Sequence, residues 1–205
     1  MSKSYDAGSS LSQKIIAGVD KLADNVASTL GPRGRNVIIK QAGKRPIITK
    51  DGVTVAEFVD LDDPFEDVGA QIIKQASRQT NTVAGDGTTT ATVLARAILH
   101  GAQRHIVAGA SPIDVKREID ATVEDYVKNL KEMARPIQSE EDIAHIATIS
   151  ANNDETIGKL VAKAVDCVGK DGSISVEEAR SLETSLDLTE GFRFDSGYTA
   201  TAFIN

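Results

Sequence analysis

Residues 85–90 read Gly-Asp-Gly-Thr-Thr-Thr and combine, at one predicted helix start, residue types that bind phosphate and a divalent cation. The two glycines let backbone amides approach an anionic ligand, and the threonines lie where the positive end of a helix attracts phosphate. Asp86 supplies a hard oxygen ligand of the kind that Mg²⁺ prefers. The same residues are equally typical of an Asp-Gly turn followed by a threonine N-cap, which would have no chemical function.

Two further glycine-containing turns carry polar or charged residues. Residues 29–36 (Thr-Leu-Gly-Pro-Arg-Gly-Arg-Asn) follow a predicted amphipathic helix, and residues 49–54 (Thr-Lys-Asp-Gly-Val-Thr) follow a predicted β-hairpin. Taken alone, the first is a helix C-cap and the second is a turn from the hairpin into another strand, with a solvated lysine. The sequence contains neither a P-loop nor a G-x-G-x-x-G run that opens a helix, so a phosphate site here must be of another design.

The three turns, in this order and spacing, resemble those of the GroEL-type group I chaperonins. Residues 149–160 and 190–198 resemble the same family, so the resemblance covers nearly the whole chain from about Ala17 onward. It implies an ATP-driven protein-folding machine, a homo-oligomeric double ring that encloses non-native polypeptide clients and works with a co-chaperonin of the GroES type. The cofactors that it implies are ATP and Mg²⁺, with K⁺ as a further candidate.

The resemblance also assigns roles to individual residues. Asp86 matches the Mg²⁺ ligand of the family, and Asp51 matches the carboxylate beside the attacking water, which makes Asp51 the candidate catalytic residue. Tyr198 and Phe203 match a polypeptide-binding segment and are the candidate substrate-binding residues. The remaining matches are the candidate nucleotide-binding residues Leu30, Gly31, Pro32, Lys50, Gly87, Thr88, Thr89, Thr90, Ile149 and Ser150.

Subunits of that family are more than twice as long as these 205 residues, so only part of their architecture is expected. The expected fold is mainly α with a small α+β segment. Residues 1–135 would form the N-terminal part of an equatorial, ATP-binding domain, 136–190 the N-terminal part of an intermediate domain, and 191–205 the start of an apical, substrate-binding domain. Two functions remain open: a portion of an ATP-hydrolysing chaperone subunit, or a truncated, non-hydrolysing module that pairs with complete chaperonin subunits.

Composition and charge exclude several other classes of protein. The chain is 40% hydrophobic and 26% charged, which is typical of a soluble globular protein, and its formal net charge of −7 argues against nucleic acid as a partner. No apolar stretch approaches the roughly 20 residues of a membrane span, and the start of the chain lacks the apolar core of a signal peptide. We therefore expect a cytoplasmic protein without a membrane partner. The single Cys167 lies among apolar residues and is predicted to face the core.

Apolar periodicity and cap signals predict the elements that position the turns. Helices are predicted up to Leu30, over 65–82 and 88–107, after Ser111-Pro112, after Ser139 and over 154–168, with Arg135-Pro136 as a domain hinge. Strands are predicted at 36–40 and 47–49, and again near 174–177 and 182–188. The apolar residues predicted to share one face of the second helix are Val68, Ile72, Ile73 and Ala76, and the apolar positions of the third helix are Val93, Leu94, Ala97 and Ile98.

Overall fold

The chain is mainly helical and divides into two compact units, Met1–Ala134 and Arg135–Asn205. The computed structural model describes residues 5–41, 43–151, 153–169, 172–177, 184–189 and 191. The elements of the first unit are α1 (Gly8–Ala27), β1 (Val37–Ile39), β2 (Ile47–Thr49), α2 (Gly52–Glu57), α3 (Pro64–Ala84), α4 (Thr88–Val107) and α5 (Pro112–Met133). Those of the second unit are α6 (Glu140–Ser150) and α7 (Glu155–Val168).

The core of the first unit is built from α1, α2 and α3. Apolar residues recur at helical spacing along α1, so one face of that helix is removed from water when α2 and α3 pack on it. α4 packs on the same core through Ala95 and Leu99. The buried members of the cluster are Val19, Leu22, Val26, Val55, Ala56, Ala70 and Ile73.

Two glycines let α1 and α3 cross in very close contact. A Cβ atom on Gly18 would lie 1.8 Å from the carbonyl oxygen of Glu66, and one on Gly69 would lie 2.0 Å from the carbonyl oxygen of Ile15. Each helix therefore presents its backbone to the other, and no larger residue fits at either position without a shift of the helices.

Aspartate side chains begin three of the helices. The carboxylates of Asp51, Asp63 and Asp154 each accept hydrogen bonds from the amides two and three residues further along, at the starts of α2, α3 and α7. The bond that the Phe65 amide donates to Asp63 is the main reason why the pKa of Asp63 lies below its usual value. Pro64 follows directly at the first helical position, where the missing amide hydrogen costs nothing.

The second unit is centred on the packing of α6 against α7. A Cβ atom on Gly158 would lie 2.0 Å from the hydroxyl oxygen of Thr148, so these helices also meet at a glycine. Ala162 and Ala164 of α7 are buried. Ser139 and Asp142 form a reciprocal capping box that begins α6, as the run of acidic residues after Ser139 predicts.

The structure confirms the hairpin and all of the predicted helices, but it corrects one helix end and adds a helix. α1 ends at Ala27, so Leu30 lies outside it and is 47% exposed. The hydroxyls of Ser28 and Thr29 donate to the carbonyls of Asn25 and Val26, and such bonds compete with the helical pattern. The predicted turn at 49–54 does not enter a strand, because α2 begins at Gly52.

Only some of the apolar residues predicted on the second and third helices are buried: Ile73 of α3 is 3% exposed, and Ala76 and Val93 are partly buried. Val68 and Ile72 of α3 are about half exposed, because the close crossing at Gly69 turns a stripe of smaller residues towards α1. In α4, Leu94 and Ile98 are similarly exposed. The buried positions of these helices are Gly69, Ala70, Ile73, Lys74 and Ser77 in α3 and Thr88 and Thr92 in α4.

Three smaller expectations also fail. Residues 174–177 and 184–188 form no strand, since alternating apolar residues make a strand only where a second strand accepts and donates the backbone hydrogen bonds. Residues 182 and 183 of the second predicted strand lie outside the described residues. Cys167 is exposed, because Ala162 and Ala164 supply the packed positions of α7. Ser111 precedes α5, but its side chain makes no capping hydrogen bond.

Among the described residues, no helix is long and apolar enough to cross a membrane.

The glycine crossing predicts the stability of two matched variants. Gly69→Ala should lower the free energy of unfolding by about 2–3 kcal/mol, because the added methyl group meets the backbone of α1. Gly101→Ala is the control: Gly101 lies inside α4 with no atom within 4 Å of the added Cβ, so alanine should raise stability by about 0.5–1 kcal/mol. Urea denaturation of both variants tests the crossing, which would be refuted if Gly69→Ala were also stabilising.

Candidate functional site

Gly52 brings two of the three predicted turns into direct contact. A Cβ atom on Gly52 would lie 2.1 Å from the hydroxyl oxygen of Thr89 and 3.3 Å from a methyl carbon of Val26. Gly52 is the first residue of α2, Thr89 lies in the first turn of α4, and Val26 lies in the last turn of α1. The start of α2, the start of α4 and the end of α1 therefore meet at one point.

The start of α4 offers backbone amides with no side-chain partner. Gly85 and Gly87 adopt left-handed conformations, with φ of 71° and 80°, so the three residues between α3 and α4 reverse the chain in a short turn. Gly87 is the N-cap residue of α4, and no side chain caps this helix. Because the first amides of a helix have no partner within it, those of residues 88–90 are open to an anionic ligand.

Asp86 lies between the two glycines and is exposed. Its Oδ1 atom accepts a hydrogen bond of 2.6 Å from the Gly87 amide, which directs the carboxylate towards the turn. One oxygen of the carboxylate remains for another ligand. Among the described residues, no group of three or more His, Cys, Asp or Glu side chains surrounds a possible metal position. Asp86 alone would hold a metal weakly, so Mg²⁺ bound here would need further oxygens, and the phosphates of a nucleotide provide them.

Asp51 is the N-cap residue of α2, a structural role that the sequence prediction did not include. Its Oδ2 accepts from the Thr54 amide at 2.9 Å and from the Thr54 hydroxyl at 2.6 Å, and its Oδ1 accepts from the Val53 amide at 3.3 Å. An ionised carboxylate has about four acceptor positions, so three internal bonds leave room for one further donor. The same bonds fix the direction of the carboxylate relative to α2.

The loop after α1 contains the next three predicted residues. Gly31 adopts a left-handed conformation, with φ of 73°, and its carbonyl accepts from the Gly34 amide at 2.9 Å. The carbonyl of Ser28 accepts from the Arg35 amide, also at 2.9 Å, so the loop closes on itself. Leu30, Gly31 and Pro32 are exposed on this loop, and Lys50 is exposed before α2.

Two of the predicted residues that the structure describes belong to the second unit. Ile149 and Ser150 are exposed at the end of α6, in the second unit, and the contact between the turns belongs to the first unit. Tyr198 and Phe203 lie outside the described residues. The contact at Gly52 therefore concerns only predicted residues of the first unit.

Sequence comparison shows the family. A sequence model of the TCP-1/cpn60 chaperonin family matches residues 22–203. The chain belongs to this family.

Solved chaperonin structures resemble the chain as well. A group III chaperonin in the open state has a TM-score of 0.65 and 26% sequence identity, over 77% of this chain and 31% of that chain. The chaperonin gp146 from bacteriophage EL 2 (Pseudomonas aeruginosa), solved in the presence of ATP-BeFx, has a TM-score of 0.64 and 29% identity, over 77% of this chain and 28% of that chain. The chain thus spans about three tenths of the length of these two relatives.

Sequence reasoning missed Gly52 and the helix that it begins. The aspartate of the run Asp-Gly-Val-Thr is the one signal, because aspartate is a preferred N-cap residue. The helix has only six residues, too few for a periodic apolar pattern to appear. No sequence signal indicates that Gly52 contacts Thr89, since that contact depends on the packing of α2 and α4.

The Gly52 contact predicts a variant and its partial rescue. Gly52→Ala should lower the free energy of unfolding by about 1–3 kcal/mol, because its methyl group meets the Thr89 side chain. The double variant Gly52→Ala/Thr89→Ala removes the hydroxyl and should recover at least half of the loss. Equal urea midpoints for the single and double variants would show that the two residues are not in contact.

Proposed function

We propose that this chain provides the nucleotide-binding part of an ATP-dependent chaperonin of the GroEL type, group I. The observation that carries the proposal is the contact of Gly52 with Thr89, which joins the turn of Asp51 to the uncapped start of α4. The contact places the start of α2, which holds the Asp51 carboxylate, next to the start of α4, whose amides would bind phosphate. The assignment to group I, rather than to the family as a whole, rests on the resemblance of the three turns.

The residues of the first unit fit a nucleotide bound with Mg²⁺. The amides of Thr88, Thr89 and Thr90 would hold phosphate oxygens at the positive end of α4, and Asp86 would ligate the metal. Such a metal-bound nucleotide supplies the transferable phosphoryl group and neutralises part of its charge. Asp51 would accept a hydrogen bond from the attacking water, since one acceptor position of its carboxylate is free of internal bonds.

The activity of the whole protein is also part of the proposal. A chaperonin ring that binds non-native polypeptides agrees with the family. The GroES-type co-chaperonin rests on the resemblance of the three turns, and the cytoplasmic location rests on the sequence prediction. Native mass spectrometry with and without Mg-ATP distinguishes this function from that of a non-hydrolysing module. Occupancy by nucleotide supports the ATPase, and binding of this chain to complete subunits without nucleotide supports the module.

Asp51 caps α2 and is also the proposed acceptor for the attacking water, so one substitution can remove the second role and keep the first. Asp51→Asn keeps an oxygen that caps α2 but removes the charge, so ATP turnover in the assembled chaperonin should fall about 100-fold while nucleotide affinity changes less than about threefold. Asp63→Asn is the control, because Asp63 also caps a helix through the amides two and three residues further along, although its Oδ1 accepts both bonds and Lys14 lies 3.5 Å from its Oδ2. Equal losses of turnover in both variants would assign Asp51 a structural role alone.

Asp86 predicts a different effect. Asp86→Ala removes the carboxylate from the turn before α4, so Mg²⁺-dependent ATP hydrolysis should be abolished while the helical content by circular dichroism is unchanged. A steady-state phosphate-release assay over a series of Mg²⁺ concentrations measures the effect. Turnover like that of the unsubstituted protein would contradict the assignment of Asp86 as the metal ligand.

A further inference from the structure

The end of α2 opposite to Asp51 is held by two cationic side chains of α3. Arg78 donates from Nε and Nη2 to the two carboxylate oxygens of Glu57, the last residue of α2, and both distances are 2.5 Å. Lys74 donates from Nζ to the carbonyl oxygen of Glu57 at 3.4 Å and lies 3.3 Å from Oδ1 of Asp60. α3 therefore holds both the side chain and the backbone of Glu57.

The two cations differ in burial and in what they contribute. The Lys74 side chain is 2% exposed, and a buried ammonium group is retained only where oxygens replace its water, here those of the Glu57 carbonyl and the Asp60 carboxylate. The Arg78 side chain is 52% exposed, and an ion pair that exposed adds little to stability. Its bidentate geometry nevertheless restricts the direction of the Glu57 side chain. The Arg78 guanidinium also lowers the pKa of the Glu57 carboxyl below its usual value.

The short length of α2 makes this support important. A helix of six residues does not form alone in water, and with a rise of about 1.5 Å per residue its ends are about 9 Å apart. One end is fixed where Gly52 meets Thr89, and the other is fixed at Glu57. The Asp51 carboxylate is bonded to the first amides of α2, so it turns whenever α2 turns.

We propose that Glu57, Lys74 and Arg78 form a positioning clamp that sets the orientation of α2 and thereby aims the Asp51 carboxylate. The inference rests on the proposed ATPase function. The two cations of the clamp, Lys74 and Arg78, belong to α3, and α3 leads directly into the turn that contains Asp86. The members of the clamp are positioning residues, because they act on the site through α2.

The test compares Arg78→Met with Lys21→Met in the assembled chaperonin. Lys21 forms an ion pair with Glu66 that joins α1 to α3 without involving α2, and its side chain is 53% exposed against 52% for Arg78. Because small displacements of a catalytic group are costly, Arg78→Met should lower kcat about tenfold and change nucleotide affinity less than about twofold. Lys21→Met should leave both within about twofold of the unsubstituted protein, with a similar small shift in unfolding midpoint.

A charge exchange separates orientation from a general loss of stability. Glu57→Arg and Arg78→Glu should each lower kcat, and the double variant Glu57→Arg/Arg78→Glu should recover most of the loss, because it restores an ion pair between α2 and α3. Additive losses in the double variant would overturn the clamp. Equal kcat values for Arg78→Met and Lys21→Met would overturn it as well.

ATP turnover in the variants distinguishes a failure of the clamp from a failure of the proposed function. If Asp51→Asn and Asp86→Ala leave ATP turnover intact, the proposed nucleotide site is wrong and the clamp fails with it. If those two variants lose turnover but Arg78→Met matches Lys21→Met, the site stands and only the clamp is refuted.

Discussion

The close crossing of α1 and α3 is the constraint on which the first unit depends. Gly18 and Gly69 each face the backbone of the other helix, with no space for a methyl group. At that separation the small and branched residues of both helices form one core, and Val55 and Ala56 of α2 complete it. Larger apolar residues such as Ile72 are left on the outer side of α3. The placement of α2 is therefore a consequence of how closely its two neighbours approach.

The candidate site consists of helix ends rather than of a cavity inside the unit. The end of α1, the start of α2 and the start of α4 meet at Gly52, where backbone and small side chains leave room for one another. Helix ends carry unpaired amides and partial charges, which suits them to an anionic ligand. Val26 belongs both to the core cluster and to this meeting point, so the packing of the core sets the position of the candidate site.

The sequence predicts much of this arrangement and misses parts of it for physical reasons. The helix over 88–107 follows a glycine turn and the hairpin consists of two short runs of β-branched residues, which are strong local signals, and both elements are confirmed. Ile73 of α3 is buried, but Val68 and Ile72 on the same predicted face are about half exposed, because the close approach of α1 favours the side of the helix at Gly69. α2 was not predicted because its stability comes from tertiary contacts. The roles of Asp51 and Asp86 in catalysis stay predictions.

The three capping aspartates show why local chemistry does not identify a site. Asp51, Asp63 and Asp154 accept the same pair of backbone hydrogen bonds, so each is explained by the start of a helix alone. Asp51 differs in its neighbour along the chain, because Gly52 contacts the uncapped start of α4. An aspartate that caps one helix is held in direction by that helix, and here the residue that follows it contacts the uncapped start of a second helix. Tertiary contact between two helix starts, rather than the aspartate itself, is what makes Asp51 a candidate for chemistry.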